Sequence, residues 1–199
     1  MTSTFKLFLT FLALCLSACV QTPQTLPPEP TRKSFTSIST QNTNFVPKAG
    51  QSFAWYSPPI TWATTGPTYL NDDIEAAITT TVEQELANRG YVITQDSTAA
   101  DFIIGMVLST DDYNHANDFA QYFNLNANIN SDGSAPVVNA HIGVVDGRFA
   151  NVNPPPSQAL VWKADLETEI LAPDTDKAIR IARAKTLTKR LLSSLPSGK

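Results

Sequence analysis

The chain has 199 residues, 42% hydrophobic, 9% aromatic and 16% charged, a composition that supports one ordinary globular domain. Its formal charge of -4 excludes a polybasic surface, and with it nucleic acid as a partner. Both of its 2 cysteines, Cys15 and Cys19, fall near the N-terminus, so the rest of the chain can form neither a disulfide nor a cysteine-based metal site.

The chain opens MTSTFKLFLTFLALCLSAC, with one basic residue, Lys6, followed by an apolar run at 7–16 and then small residues. That is the layout of a signal peptide. The apolar run is about half the roughly 20 residues a membrane-spanning helix needs. Leu16-Ser17-Ala18-Cys19 resembles the lipobox of bacterial lipoproteins at all four positions. The resemblance implies a signal peptide at 1–18, cleavage between Ala18 and Cys19, and acyl chains such as palmitate attached to Cys19. Two or three such chains hold essentially permanently, because each buried methylene contributes about 0.8 kcal/mol. Position 20 is Val rather than Asp, which resembles an outer-membrane address in a Gram-negative cell, with the protein on the periplasmic face.

Residues 20–50 are rich in Thr, Gln, Pro, Ser and Asn and hold too few large apolar side chains to offset chain entropy. Residues 19–50 are therefore expected to be a lipidated N-terminus and flexible tether, with an extended piece near 35–39 joining the sheet of a single domain at 51–199. The domain starts with a strand at 53–56, ended by Pro58 and Pro59. A helix follows, capped by Asn71 or Asp72, with Ile74, Ile78, Val82 and Leu86 on one face and Gly90 closing it. A short strand is expected at 91–94, and FIIGMVL at 102–108 has the length of a central strand. Residues 111–136 read as a long polar insertion that carries Tyr113, Phe119, Tyr122 and Phe123.

In the strand expected at 137–145, Val138, Ala140, Ile142 and Val144 share one side and His141 faces the other way, half-exposed. Past a loop with Pro154, Pro155 and Pro156, the residues Leu160, Trp162, Ala164, Leu166 and Ile170 alternate with Lys163, Asp165, Glu167 and Glu169. Such alternation predicts one buried face and one in water. A terminal helix capped by Asp174 then presents Ile181, Ala184, Thr188, Leu191, Leu192 and Leu195 as a stripe, up to Pro196. The fold class that satisfies these demands is α+β: a mainly antiparallel sheet with two amphipathic helices packed on one face.

In this order and spacing, SFAWYSPP at 52–59, DDIEAAI, NRGYVI at 88–93, ADFIIGM at 100–106, ALVWKADLE at 159–167 and LLSSLP at 191–196 resemble the bacterial lipoprotein family of domain of unknown function 4136. The insertion at 111–136 and the proline loop depart from that family's pattern. The resemblance implies fold and location, and no activity.

Candidate chemistry is sparse. His115 and His141 lack metal-ligand spacing, so no metal site is expected. Asp111, Asp112, Asn114, Asn117 and Asp118 offer oxygen ligands, but without the glycine and closing glutamate of a calcium loop. Asp165, Glu167 and Glu169 could place a carboxylate pair for acid–base work, the basis of an alternative reading as an envelope hydrolase. Lys177, Arg180, Arg183, Lys185, Lys189 and Arg190 could meet anionic lipid as a membrane-surface sensor, although Asp165, Glu167 and Glu169 offer them partners. No catalytic residue and no cofactor are expected. The leading expectation is a non-enzymatic envelope lipoprotein that binds or scaffolds an envelope partner, with Cys19 as the attachment point.

Overall fold

The apolar run at 102–109 suits a strand covered on both faces, and all of its residues are buried. A computed structural model of the chain, which describes residues 35–63, 72–109, 122–123, 137–153, 155–169, 171 and 175–198, places this strand inside a six-stranded sheet. In chain order the strands are β1 (Phe35–Gln41), β2 (Ser52–Ala63), β3 (Val92–Ile93), β4 (Phe102–Ser109), β5 (Val137–Asp146) and β6 (Leu160–Glu169). Across the sheet the order is β1-β6-β5-β4-β2-β3. The β1–β6, β6–β5 and β5–β4 pairs are antiparallel, while β2 runs parallel to both β4 and β3. The fold is thus α+β with a mostly antiparallel sheet.

The extended piece near 35–39 does join the sheet, as β1, and Phe45 is buried in the core. Folded structure therefore begins ahead of residue 51, the boundary read from composition. Composition misled there because β1, FTSISTQ, is held by its backbone ladder to β6 rather than by apolar side chains.

A second correction concerns β2. Pro58 and Pro59 were expected to end it, yet pairing to β4 resumes beyond them: Trp55 lies opposite Ile104, and Ile60 opposite Met106. Prolines cannot donate to the ladder, so the chain bulges at that point and then re-pairs. The Ser57–Pro58 peptide bond is cis.

Helix α1 (Asp72–Asn88) buries the expected stripe of Ile74, Ile78, Val82 and Leu86. Gly90, at φ 88°, ends it in the left-handed conformation, with Tyr91 N–H donating to the Leu86 carbonyl and Gly90 N–H to that of Ala87. Helix α2 (Lys177–Leu191) is capped by Asp176, whose carboxylate accepts from Ala178 N–H at 2.7 Å and Ile179 N–H at 3.4 Å. Asp174, the expected cap, lies outside the described residues; in sequence two aspartates stand two apart there, and the second caps the start of the helix.

Lys177 pairs with Asp73 where the helices start, and the Arg89 guanidinium donates to the Leu195 carbonyl past their ends, so the two run side by side in the same direction. They cover one face of the sheet. Their apolar stripes meet Phe53, Ile60, Phe102, Ile104, Met106, Leu108, Ile142, Val144, Trp162 and Leu166 in the main core. The indoles of Trp55 and Trp62 reach carboxylates of Glu83 and Glu75 on α1, at 3.0 and 3.3 Å.

The opposite face is not simply left to water. Ala54, Ile103, Val107, Val145 and Ala159 form a second apolar cluster with Tyr122 and Phe123. Phe123 is fully buried against Gly143, where a Cβ would come within 2.5 Å of its Cδ1. Tyr122 and Phe123, the described aromatics of the insertion, thus pack on this face of the sheet. An irregularity between Val144 and Val145 turns Leu160 toward this second cluster, away from the side of Trp162, Ala164 and Leu166. Ile170, the last member of the expected alternation, lies outside the described residues.

Candidate functional site

Two antiparallel registers assemble the polar groups of the second face. Ser109 on β4, Asn139 on β5 and Glu167 on β6 lie abreast; one step along, Val107, His141 and Asp165 do the same. Residues directly opposite in an antiparallel pair share a face, so Ser109, Asn139, His141, Asp165 and Glu167 form one polar floor beside the aromatic cluster.

His141 is buried rather than half-exposed: 2% of its surface is accessible, against 1% for Ser109 and 5% for Asn139. The expectation failed because it assumed that only the helix side of the sheet was covered. The imidazole Nδ1 lies 2.7 Å from Asp165 Oδ1. A carboxylate only accepts, so Nδ1 carries the proton, and in the neutral ring Nε2 keeps a lone pair. Among the described residues, that Nε2, the Asn139 Oδ1 and the Ser109 Oγ are all buried without a hydrogen-bond partner. Each such orphan costs about 1–3 kcal/mol. Three together, two of them acceptors and one a hydroxyl able to act either way, form a floor suited to a ligand or water that donates N–H or O–H bonds.

A histidine oriented by a carboxylate is also the base half of a nucleophile–base arrangement, with Ser109 diagonal to it on the neighbouring strand. Ser109, however, ends a regular strand at 1% exposure and lacks the sharp turn that presents a nucleophile to substrate. The carboxylates singled out from sequence divide in role. Asp165 serves His141, and Glu167 lies beside Asn139 on the same face.

The basic residues of α2 also divide. Arg183 donates to the Thr168 hydroxyl at 2.6 Å and to the Glu169 carbonyl, Lys177 pairs with Asp73, and Lys185 and Lys189 are exposed. Asp165 and Glu167, expected as their partners, face the opposite side of β6. Cys19, Ala18, His115, Asp111, Asp112, Asn114, Asn117, Asp118, Tyr113 and Phe119 lie outside the described residues. Among the described residues, no group of three or more His, Cys, Asp or Glu side chains could hold a metal ion, and no helix is long and apolar enough to cross a membrane. Asn139 and Ser109 escaped the sequence reading. The signal was present in β5, where Asn139, His141 and Gly143 alternate with apolar residues and so share a side.

A six-stranded sheet with two helices on one face and a partly covered polar floor on the other defines the class as an α+β domain. Comparison of the sequence with protein-family models and with curated proteins finds no match. Among solved structures, the chain has the fold of a domain of unknown function 4136 family protein from Bacteroides thetaiotaomicron, at 12% identity and TM-score 0.52, covering 81% of this chain and 97% of that one. The resemblance drawn from sequence therefore stands at the level of the fold. Looser similarity extends to the PelC dodecamer of Paraburkholderia phytofirmans, at 14% identity, TM-score 0.44, and 83% and 100% coverage. It extends also to a lipoprotein of Neisseria meningitidis, at 9% identity, TM-score 0.34, and 72% and 99% coverage.

Proposed function

We propose that the chain is a bacterial envelope lipoprotein, held at the periplasmic face of the outer membrane by lipid on Cys19, whose domain binds or scaffolds another envelope component without catalysing a reaction. The observation that carries the reading is Leu16-Ser17-Ala18-Cys19 after a short apolar run, in a chain with no cysteine beyond Cys19. A thiol at that position is occupied by lipid rather than by a disulfide or a metal. The 15 residues 20–34 lie in sequence between Cys19 and β1, a length of chain that spans at most roughly 50 Å.

The binding role rests on the second sheet face. Its orphaned polar atoms beside Tyr122 and Phe123 offer hydrogen-bonding capacity next to an aromatic wall, and among the described residues Ser109, the hydroxyl beside His141, is buried in a regular strand. Membrane fractionation of wild type against Cys19→Ser tests the anchor. Wild type is expected in the outer-membrane fraction and the variant in the soluble periplasm; equal partition of the two would refute attachment at Cys19.

A further inference from the structure

The two edges of the sheet are unequal. The β3 edge is only the pair Val92–Ile93, too short to recruit another strand. The β1 edge runs for seven residues, FTSISTQ, and pairs with β6 without a break in register. Edge strands in soluble proteins are commonly guarded by charge, proline or a bulge; β1 has none of these. Ser37 and Ser39, opposite Leu166 and Ala164, lie on the helix side, while Ile38 and Thr40, opposite Asp165 and Lys163, lie on the other. All four are exposed, so among the described residues the helices stop short of this strand and nothing covers either of its faces.

At the midpoint of β1 stands Ile38, 63% exposed, one of the few large apolar side chains of the domain left in water. We infer that the outer edge of β1 pairs antiparallel with β1 of a second copy of this chain, about a two-fold axis at Ile38. In that register Phe35 lies opposite Gln41, Ser37 opposite Ser39, and Ile38 opposite itself, so the whole strand is used and the exposed isoleucines cover each other. A symmetric interface of this kind requires that the strand not repel its own copy, and the uncharged sequence of β1 meets that requirement.

The chain ahead of β1 fits as well. The two N-terminal segments leave opposite ends of the shared ladder about 20 Å apart, and residues 20–34 can each span roughly 50 Å, so both copies reach one membrane. A seven-residue ladder is far smaller than the about 1,200 Å² of a stable interface. Confinement to a membrane supplies the effective concentration that it lacks, and to that extent the inference rests on the proposed anchoring.

The absence of cysteine from the domain gives a clean test. Full-length chain carrying Ile38→Cys is oxidised mildly in isolated membranes beside wild type, Thr40→Cys and Ile179→Cys, and resolved with and without reductant. Ile38→Cys should give a reducible dimer, its thiols meeting across the axis where Cα atoms lie about 4.5–5.5 Å apart. Thr40→Cys should stay monomeric, because its two copies are offset by about 13 Å along the ladder, as should Ile179→Cys on α2. A monomeric Ile38→Cys, equal crosslinking at all three positions, or capture of a different protein in place of the second copy would overturn the interface. Fractionation of the same samples reads the anchor separately. A soluble chain would refute anchoring, and the interface would then be judged by the same crosslink in the concentrated soluble protein.

Discussion

Replacing Gly143 with alanine tests the second sheet face through a single methyl group. Gly143 has no left-handed backbone requirement, so alanine is conformationally acceptable and, by reducing the freedom of the unfolded chain, would by itself stabilise by about 0.4–1 kcal/mol. Space decides the outcome. The added Cβ would stand 2.5 Å from Phe123 Cδ1 and 3.0 Å from its Cβ and Cγ, whereas carbon atoms pack at about 3.5–4.0 Å. Phe123 is fully buried and cannot swing into solvent. Forcing a methyl into a packed site costs about 1–3 kcal/mol, so Gly143→Ala is expected to destabilise by about 1–2 kcal/mol net. The midpoint in urea should fall with an unchanged slope, and Tm should drop by about 2–4 °C per kcal/mol. In a Phe123→Leu background the clash is relieved and the same methyl should become neutral or stabilising, a coupling of at least about 1 kcal/mol. Additive single and double variants would refute the placement of Phe123 on Gly143.

Burial pushes the Tyr91 and Tyr122 phenols from 10.0 up to about 12, with repulsion from Tyr56 adding to the shift at Tyr122. Each raised pKa means that the folded state holds the proton more tightly than the unfolded one. The associated stability is complete below pH 10 and drains away between pH 10 and 12. Absorbance at 295 nm should show these two phenols ionising late, together with loss of structure; ionisation of every tyrosine near pH 10 in a folded protein would contradict it. Asp165→Ala should cost about 1–3 kcal/mol in urea unfolding by stranding the His141 Nδ1 proton, Asp165→Asn should cost less, and Glu167→Ala should stay within about 0.5 kcal/mol. Equal losses at Asp165 and Glu167 would show that the His141 contact contributes nothing.

Periodicity made the helix face legible. Ile74, Ile78, Val82 and Leu86 recur at helical spacing, and Trp162, Ala164 and Leu166 alternate at strand spacing, each pattern local and each pointing at one core. What was hidden depends on distant partners. Nothing near His141 in sequence says that the far side of β5 is covered, since the cover includes Phe123, and its acceptor, Asp165, sits on the next strand. The course of β2 was hidden for a different reason: Pro58 and Pro59 look like an end, and only pairing with Met106 and Leu108 on β4 carries the strand past them. β1 was only partly legible, because its hydrogen bonds to β6 leave no apolar signature. As for chemistry, the lipobox resemblance of Leu16-Ser17-Ala18-Cys19 is a linear pattern that needs no fold to be read, whereas the polar floor exists only once three strands lie in register.

The most direct test of the account is the intact mass of the mature protein isolated from cell membranes. The expected product begins at Cys19, lacks the first eighteen residues, and carries the added mass of a diacylglycerol thioether with or without a third acyl chain. A product that retains Ala18, or that begins at Cys19 with an unmodified thiol and washes off as a soluble protein, would contradict it.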